Sequence, residues 1–108
     1  MQIEIITPNA TQLREQIFKA VKSGTLETWK IAQSEDDKYL LTPVGAQFYN
    51  NVLLRFEVLP FSKNVTIFPT HWRTQEQPSD ALIAIVLGMI TAALLTHFST
   101  DFARLEIK

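Results

Sequence analysis

Apolar and polar positions alternate along this chain with two different periods, and the longest stretch of either kind lies near its C-terminal end. From Ala81 to Phe98, ALIAIVLGMITAALLTHF, no side chain carries a formal charge, and only Thr91, Thr96 and His97 are polar. Capped by Ser79 or Asp80 and stopped by Ser99-Thr100-Asp101, the run predicts a helix about 27 Å long. At about 100° per residue, Ala81, Ala84, Gly88, Thr91 and Ala92 fall on one side. Leu82, Ile83, Val86, Leu87, Met89, Ile90, Leu94 and Phe98 fill most of the rest. Burying such large side chains stabilises by roughly 1.5–3 kcal/mol each as an upper figure, so this helix is expected to supply much of the core. The small side, Ala84, Gly88 and Ala92, lets another backbone approach closely. That neighbour is either the chain's own first helix or a second subunit.

A helix of this length also matches the hydrocarbon thickness of a bilayer. The segment is at the short limit for spanning, its flanks lack a Lys/Arg cluster and a Trp/Tyr belt, and Asp80 and Asp101 sit just outside its ends. The sequence therefore predicts an interior helix at 81–98 and no membrane partner.

The remaining periods place seven further elements. Gln2 to Thr7 alternates as a short strand ended by Pro8. Asn9, with Gln12 three residues on, reads as a capping-box variant that starts a helix over residues 10–23. Its buried stripe is Leu13, Ile17, Ala20 and Val21 with Phe18 at the edge; Arg14, Glu15, Lys19 and Lys22 are expected to face water, and Gly24 to cap the end. From Leu26 the period changes to two, and Ser34-Glu35-Asp36-Asp37 separates two alternating runs into a hairpin. After the Thr42-Pro43-Val44-Gly45 turn, Ala46 to Asn50 is read as extended. Val52 to Leu59 is the clearest strand, with Val52, Leu54, Phe56 and Val58 on one face and Leu53, Arg55 and Glu57 on the other. Val65 to Phe68 returns with Val65 and Ile67 inward, Pro69 favours an edge or an end there, and Phe102 to Lys108 alternates as a final edge strand. The sum is a single α+β domain over 1–108, in the order β-α-β-β-β-β-α-β. Its antiparallel sheet of five to six strands carries the helices 10–23 and 80–98 on one face.

Composition narrows the function more by exclusion than by assignment. A net charge of −1 and no basic run give no electrostatic footprint for nucleic acid. Without cysteine there is no disulfide framework and no thiolate chemistry, and the start MQIEIITPNA has neither a basic stretch nor an apolar signal core. A cytoplasmic protein is the expectation.

Candidate chemistry is sparse. The segment 70–78 brings together His71, Trp72 and Arg73, an imidazole, an indole and a guanidinium, which is the one place a ligand contact or general base suggests itself. The simpler alternative is that Trp72 packs the loop onto the sheet and its neighbours are solvated. His97 and Asp101 stand at i, i+4 spacing, where they would make an ordinary helix-end contact. The two histidines lack a third ligand at a recognisable spacing, and Gly24, Gly45 and Gly88 are isolated, so no metal site, phosphate loop or cofactor is expected. No serine lies in a nucleophile elbow, and enzyme function finds no positive support. Trp29, Tyr39, Phe61 and Trp72 are the aromatics that a partner would use if any were left outward. The resulting expectation is a small non-enzymatic protein-binding module of the immunity, antitoxin or adaptor kind. Self-association would run through Ala84, Gly88 and Ala92. The alternative is a small-molecule binder or minor enzyme with a pocket near His71, Trp72 and Arg73.

Overall fold

The computed structural model describes residues 1–33, 38–45, 48 and 51–108. The elements run β1 (Ile3–Ile6), α1 (Ala10–Lys22), β2 (Trp29–Ala32), β3 (Leu40–Pro43), β4 (Leu53–Glu57), β5 (Asn64–Thr70), α2 (Asp80–His97) and β6 (Arg104–Ile107). The six strands among the described residues join one antiparallel sheet in the order β2-β3-β4-β5-β1-β6, so the architecture is α+β with the expected sequence of elements. β1 is inserted between β5 and β6, pairing Ile3 with Ile67 on one side and with Ile107 on the other.

The period of two decides which side of each strand enters the core. Ile3, Ile5, Leu41, Leu54, Phe56, Val65 and Ile67 point to the helical layer. There they meet Leu13, Ile17, Phe18 and Val21 of α1 and Ile83, Val86, Leu87, Ile90 and Leu94 of α2. Phe18 stands edge-on to both Phe56 and Tyr39 at centroid distances of 5.3 and 5.2 Å, a favourable arrangement of ring quadrupoles. Two buried hydroxyls have partners: Thr7 donates to the Asp101 carbonyl at 2.9 Å and Thr42 to that of Val52 at 3.1 Å.

Helix ends follow the sequence at three of four termini. α1 closes through Gly24 at φ +84, with the Gly24 and Thr25 N–H groups donating to the carbonyls of Val21 and Ala20. This reversal also buries Leu26, so β2 begins at Trp29 rather than at Leu26. Ser79 caps α2, its hydroxyl accepting from Leu82 N–H at 3.2 Å, with Asp80 in the first turn. Asn9 occupies the start of α1, but its side chain makes no capping bond and the expected capping box with Gln12 does not form. Its backbone N–H is instead held by the Thr7 hydroxyl at 3.3 Å.

Two further expectations change, at Arg14 and at Phe48. Arg14 does not face water: its guanidinium lies 3.7 Å from the Tyr39 ring centroid and donates to the Phe56 carbonyl. The Tyr39 hydroxyl donates to Glu15. That bond, aided by burial, raises the Tyr39 pKa above its usual value despite the opposing field of Arg14. Pro69 stands at an edge, one of the two places expected for it: β5 runs on to Thr70, and the proline lies where the strand has overrun β1 and only β4 is its neighbour. The acidic turn 34–37, and 46, 47, 49 and 50 of the stretch read as extended, lie outside the described residues. Phe48 within that stretch is in a turn, its N–H donating to the Gly45 carbonyl.

Candidate functional site

The sheet face away from the helices is mixed rather than bare. Register places Glu57, Thr66, Glu4 and Glu106 in one row across four strands. The negative charges are met by Arg55 on Glu57 at 3.4 Å, Arg104 on Glu106 at 3.2 Å and Lys108 on Glu4 at 2.9 Å. The bond to Glu4 raises the Lys108 pKa. On the same face Ala32, Leu40 and Leu53 form a small second apolar cluster, and Trp72 packs over it.

That packing decides what the 70–78 segment does structurally. Trp72 is half-buried on the back of the sheet, its backbone N–H donating to the Gln75 side-chain oxygen at 3.4 Å, while His71 and Arg73 are exposed beside it. The described cavities lie elsewhere. A hollow of about 250 Å³ sits at the start of α1, bordered by Pro8, Gln12, Thr100 and Asp101. A groove of about 450 Å³ runs beside the second half of α2. A third hollow, of about 430 Å³, lies between α1 and the 58–62 turn. His97 lines the groove along α2 and makes no described bond with Asp101, whose backbone N–H returns to the Phe98 carbonyl.

Among the described residues, the outer face of α2 is an apolar surface that nothing in the fold covers. By length and composition this helix could cross a membrane, yet only 28% of it is buried in the fold. Its inner face, Ile83, Val86, Leu87, Ile90 and Leu94, is in the core. On the outer face, Ala81, Ala84, Ile85, Gly88, Ala92, Leu95 and Thr96 are all exposed, with Ile85 and Leu95 at 52% and 53%. Ala84, Gly88 and Ala92 are therefore not covered by α1, and a side chain added at Gly88 would meet nothing within 4 Å. Ile85 and Leu95 were not assigned to either side by the size pattern. The spacing Ala81, Ile85, Gly88, Ala92, Leu95 is the signal that finds them, because it is the 4-3-4-3 spacing of a helix-pairing seam. A face of this length without a charge is unusual for helix surface in contact with water.

A second apolar projection lies at the β4–β5 connection. Leu59 and Phe61 are exposed, Phe61 completely, in a turn closed by the Ser62 N–H on the Leu59 carbonyl at 3.0 Å. Of the four aromatics singled out, Phe61 alone is fully outward; Trp29 is in the core, and Tyr39 and Trp72 are half-buried.

Comparison with protein-family models, with curated proteins and with solved structures gives no match for this chain.

Proposed function

We propose that this chain is a small non-enzymatic protein-binding module of the cytoplasm, and that its first partner is a second copy of itself. The exposed, uncharged outer face of α2 supports the reading. Removing apolar surface from water contributes about 25 cal/mol per Å², and a face with no charge to desolvate and no polar group to re-partner keeps most of that gain. The back of the sheet is a poorer candidate, since its charges are already paired within the chain. A small-molecule site at His71, Trp72 and Arg73 finds less support, because the indole is used in packing and the described cavities lie away from it.

Sedimentation equilibrium tests the reading. The wild type is expected to show a mass rising above 12.3 kDa as concentration increases. Leu95→Glu should stay at the monomer mass and unfold with the midpoint of the wild type at high dilution, since Leu95 stands outside the core. A wild type that remains at the monomer mass at every concentration would overturn self-association.

A further inference from the structure

We propose that α2 pairs with α2 of a second copy in antiparallel orientation, about a two-fold axis that crosses the outer face at the level of position 90 along the helix; this rests on the self-association reading above and specifies its geometry. The seam residues Ala81, Ile85, Gly88, Ala92 and Leu95 span about 80° of arc at 100° per residue, directly opposite the buried Ile83, Val86, Ile90 and Leu94. An isologous contact requires that residue i meet j while j meets i. Reflection about position 90 satisfies that requirement in size as well as in position. Ile85 comes opposite Leu95, Gly88 opposite Ala92, and Ala84 opposite Thr96. Bulky side chains thus meet bulky ones at the two ends, and small ones meet at the centre, where the helices approach most closely.

Orientation follows from the helix ends. A parallel pair would align the two macrodipoles and bring the two Asp80 carboxylates to the same end. The antiparallel pair sets the positive end of each helix beside the negative end of the other. The groove of about 450 Å³, lined on α2 by Met89, Ala92, Ala93, Thr96 and His97, runs along the flank of the seam at the level where the partner's Ile85 arrives. It supplies a hole for that knob.

The seam itself selects the occupant. A charged partner finds no counter-charge on it. A helix that lies on lipid carries Lys or Arg along its polar border, and α2 has none between Asp80 and His97. The contact between the Ile85 and Leu95 levels is about 15 Å long, which covers less than the roughly 800 Å² per partner of a standard interface. The dimer is therefore a weak one that forms and dissociates with concentration.

Because the chain has no cysteine, disulfide trapping reads the geometry directly. Ile85→Cys and Leu95→Cys proteins, mixed and oxidised, are expected to cross-link to each other. Ile85→Cys alone is not, since the symmetry separates the two Ile85 by about 15 Å along the axis, beyond the roughly 7 Å that a disulfide bridges. Gly88→Leu added to the mixed pair should lower the cross-linked yield about tenfold by forcing the helices apart. Efficient Ile85→Cys self-linking would overturn the antiparallel geometry while leaving self-association intact. A wild-type dimer with no cross-link from either position would overturn the α2 seam alone. A monomer at every concentration would overturn both readings, as would a monomer that floats with phosphatidylcholine vesicles, which would put lipid where the second copy is proposed.

Discussion

At the scale of single residues, Phe61 is the position where sequence and backbone disagree most. The turn Leu59-Pro60-Phe61-Ser62 has proline second and a positive φ third, the arrangement that favours Gly or Asn at the third place. A phenylalanine at φ +62 crowds its Cβ against the backbone, and its ring is wholly exposed, so no packing offsets the strain. Phe61→Gly should accordingly stabilise the fold by about 1 kcal/mol, less what the more flexible unfolded chain gains from glycine. Urea unfolding followed by far-UV circular dichroism checks it, and a loss of stability would mean that the ring packs on α1 in solution. Other residues depart from their local pattern for a different reason. Leu53 shares a strand face with Arg55 and Glu57 and reads as solvent-facing, yet it is buried because Trp72 returns over that face from far along the chain. Arg14 reads as solvated from helix period alone, and only the arrival of Tyr39 from the β2–β3 hairpin gives its guanidinium a ring to lie on.

Among the elements, periodicity recovered types and limits well wherever local chemistry decides them. The stripe of α1, the alternation of β4 and β5, the Ser79 cap and the Gly24 reversal all depend on residues within a turn or two of one another. Strand order was not legible, because nothing local in Ile3–Ile6 says that β5 and β6 will flank it. For α2, the sequence separated a bulky side from a small one but could not say whether α1 covers the small one. The structure leaves it open, and that gives Gly88 an unusual property. Glycine inside an exposed helix is less favourable than alanine by about 0.8–1 kcal/mol, and space is free at its Cβ. In the Leu95→Glu background, which is monomeric under the proposal, Gly88→Ala should stabilise by about that amount. In the wild-type background the added methyl enters the centre of the seam, so the gain should be smaller at high protein concentration. Thermal unfolding of the four proteins forms a double-mutant cycle, and equal gains in both backgrounds would remove Gly88 from the contact.

For the whole molecule, the open question is how a fold of this size tolerates a helix that its own core covers on one side only. A two-layer arrangement of sheet and helices buries the inner surface of each layer and leaves the outer surface of the helices to water, where charged residues normally stand. α1 follows that rule, with Glu15, Lys19 and Lys22 outward. α2 does not, and the net charge of −1 adds little repulsion between copies to keep such faces apart. Pairing through this face couples association to folding, because only the folded chain assembles the seam. Apparent stability should then rise with protein concentration, by about 1.4 kcal/mol per mole of dimer for each tenfold increase above the dissociation constant. Scanning calorimetry across a hundredfold range of concentration is expected to show the unfolding midpoint climbing for the wild type and constant for Leu95→Glu. The climb should be nearly the same in dilute and in concentrated sodium chloride, since no ionic pair spans the seam. A midpoint shift that vanished with added salt would instead trace the association to the charged row on the back of the sheet, around Glu4, Glu57 and Glu106.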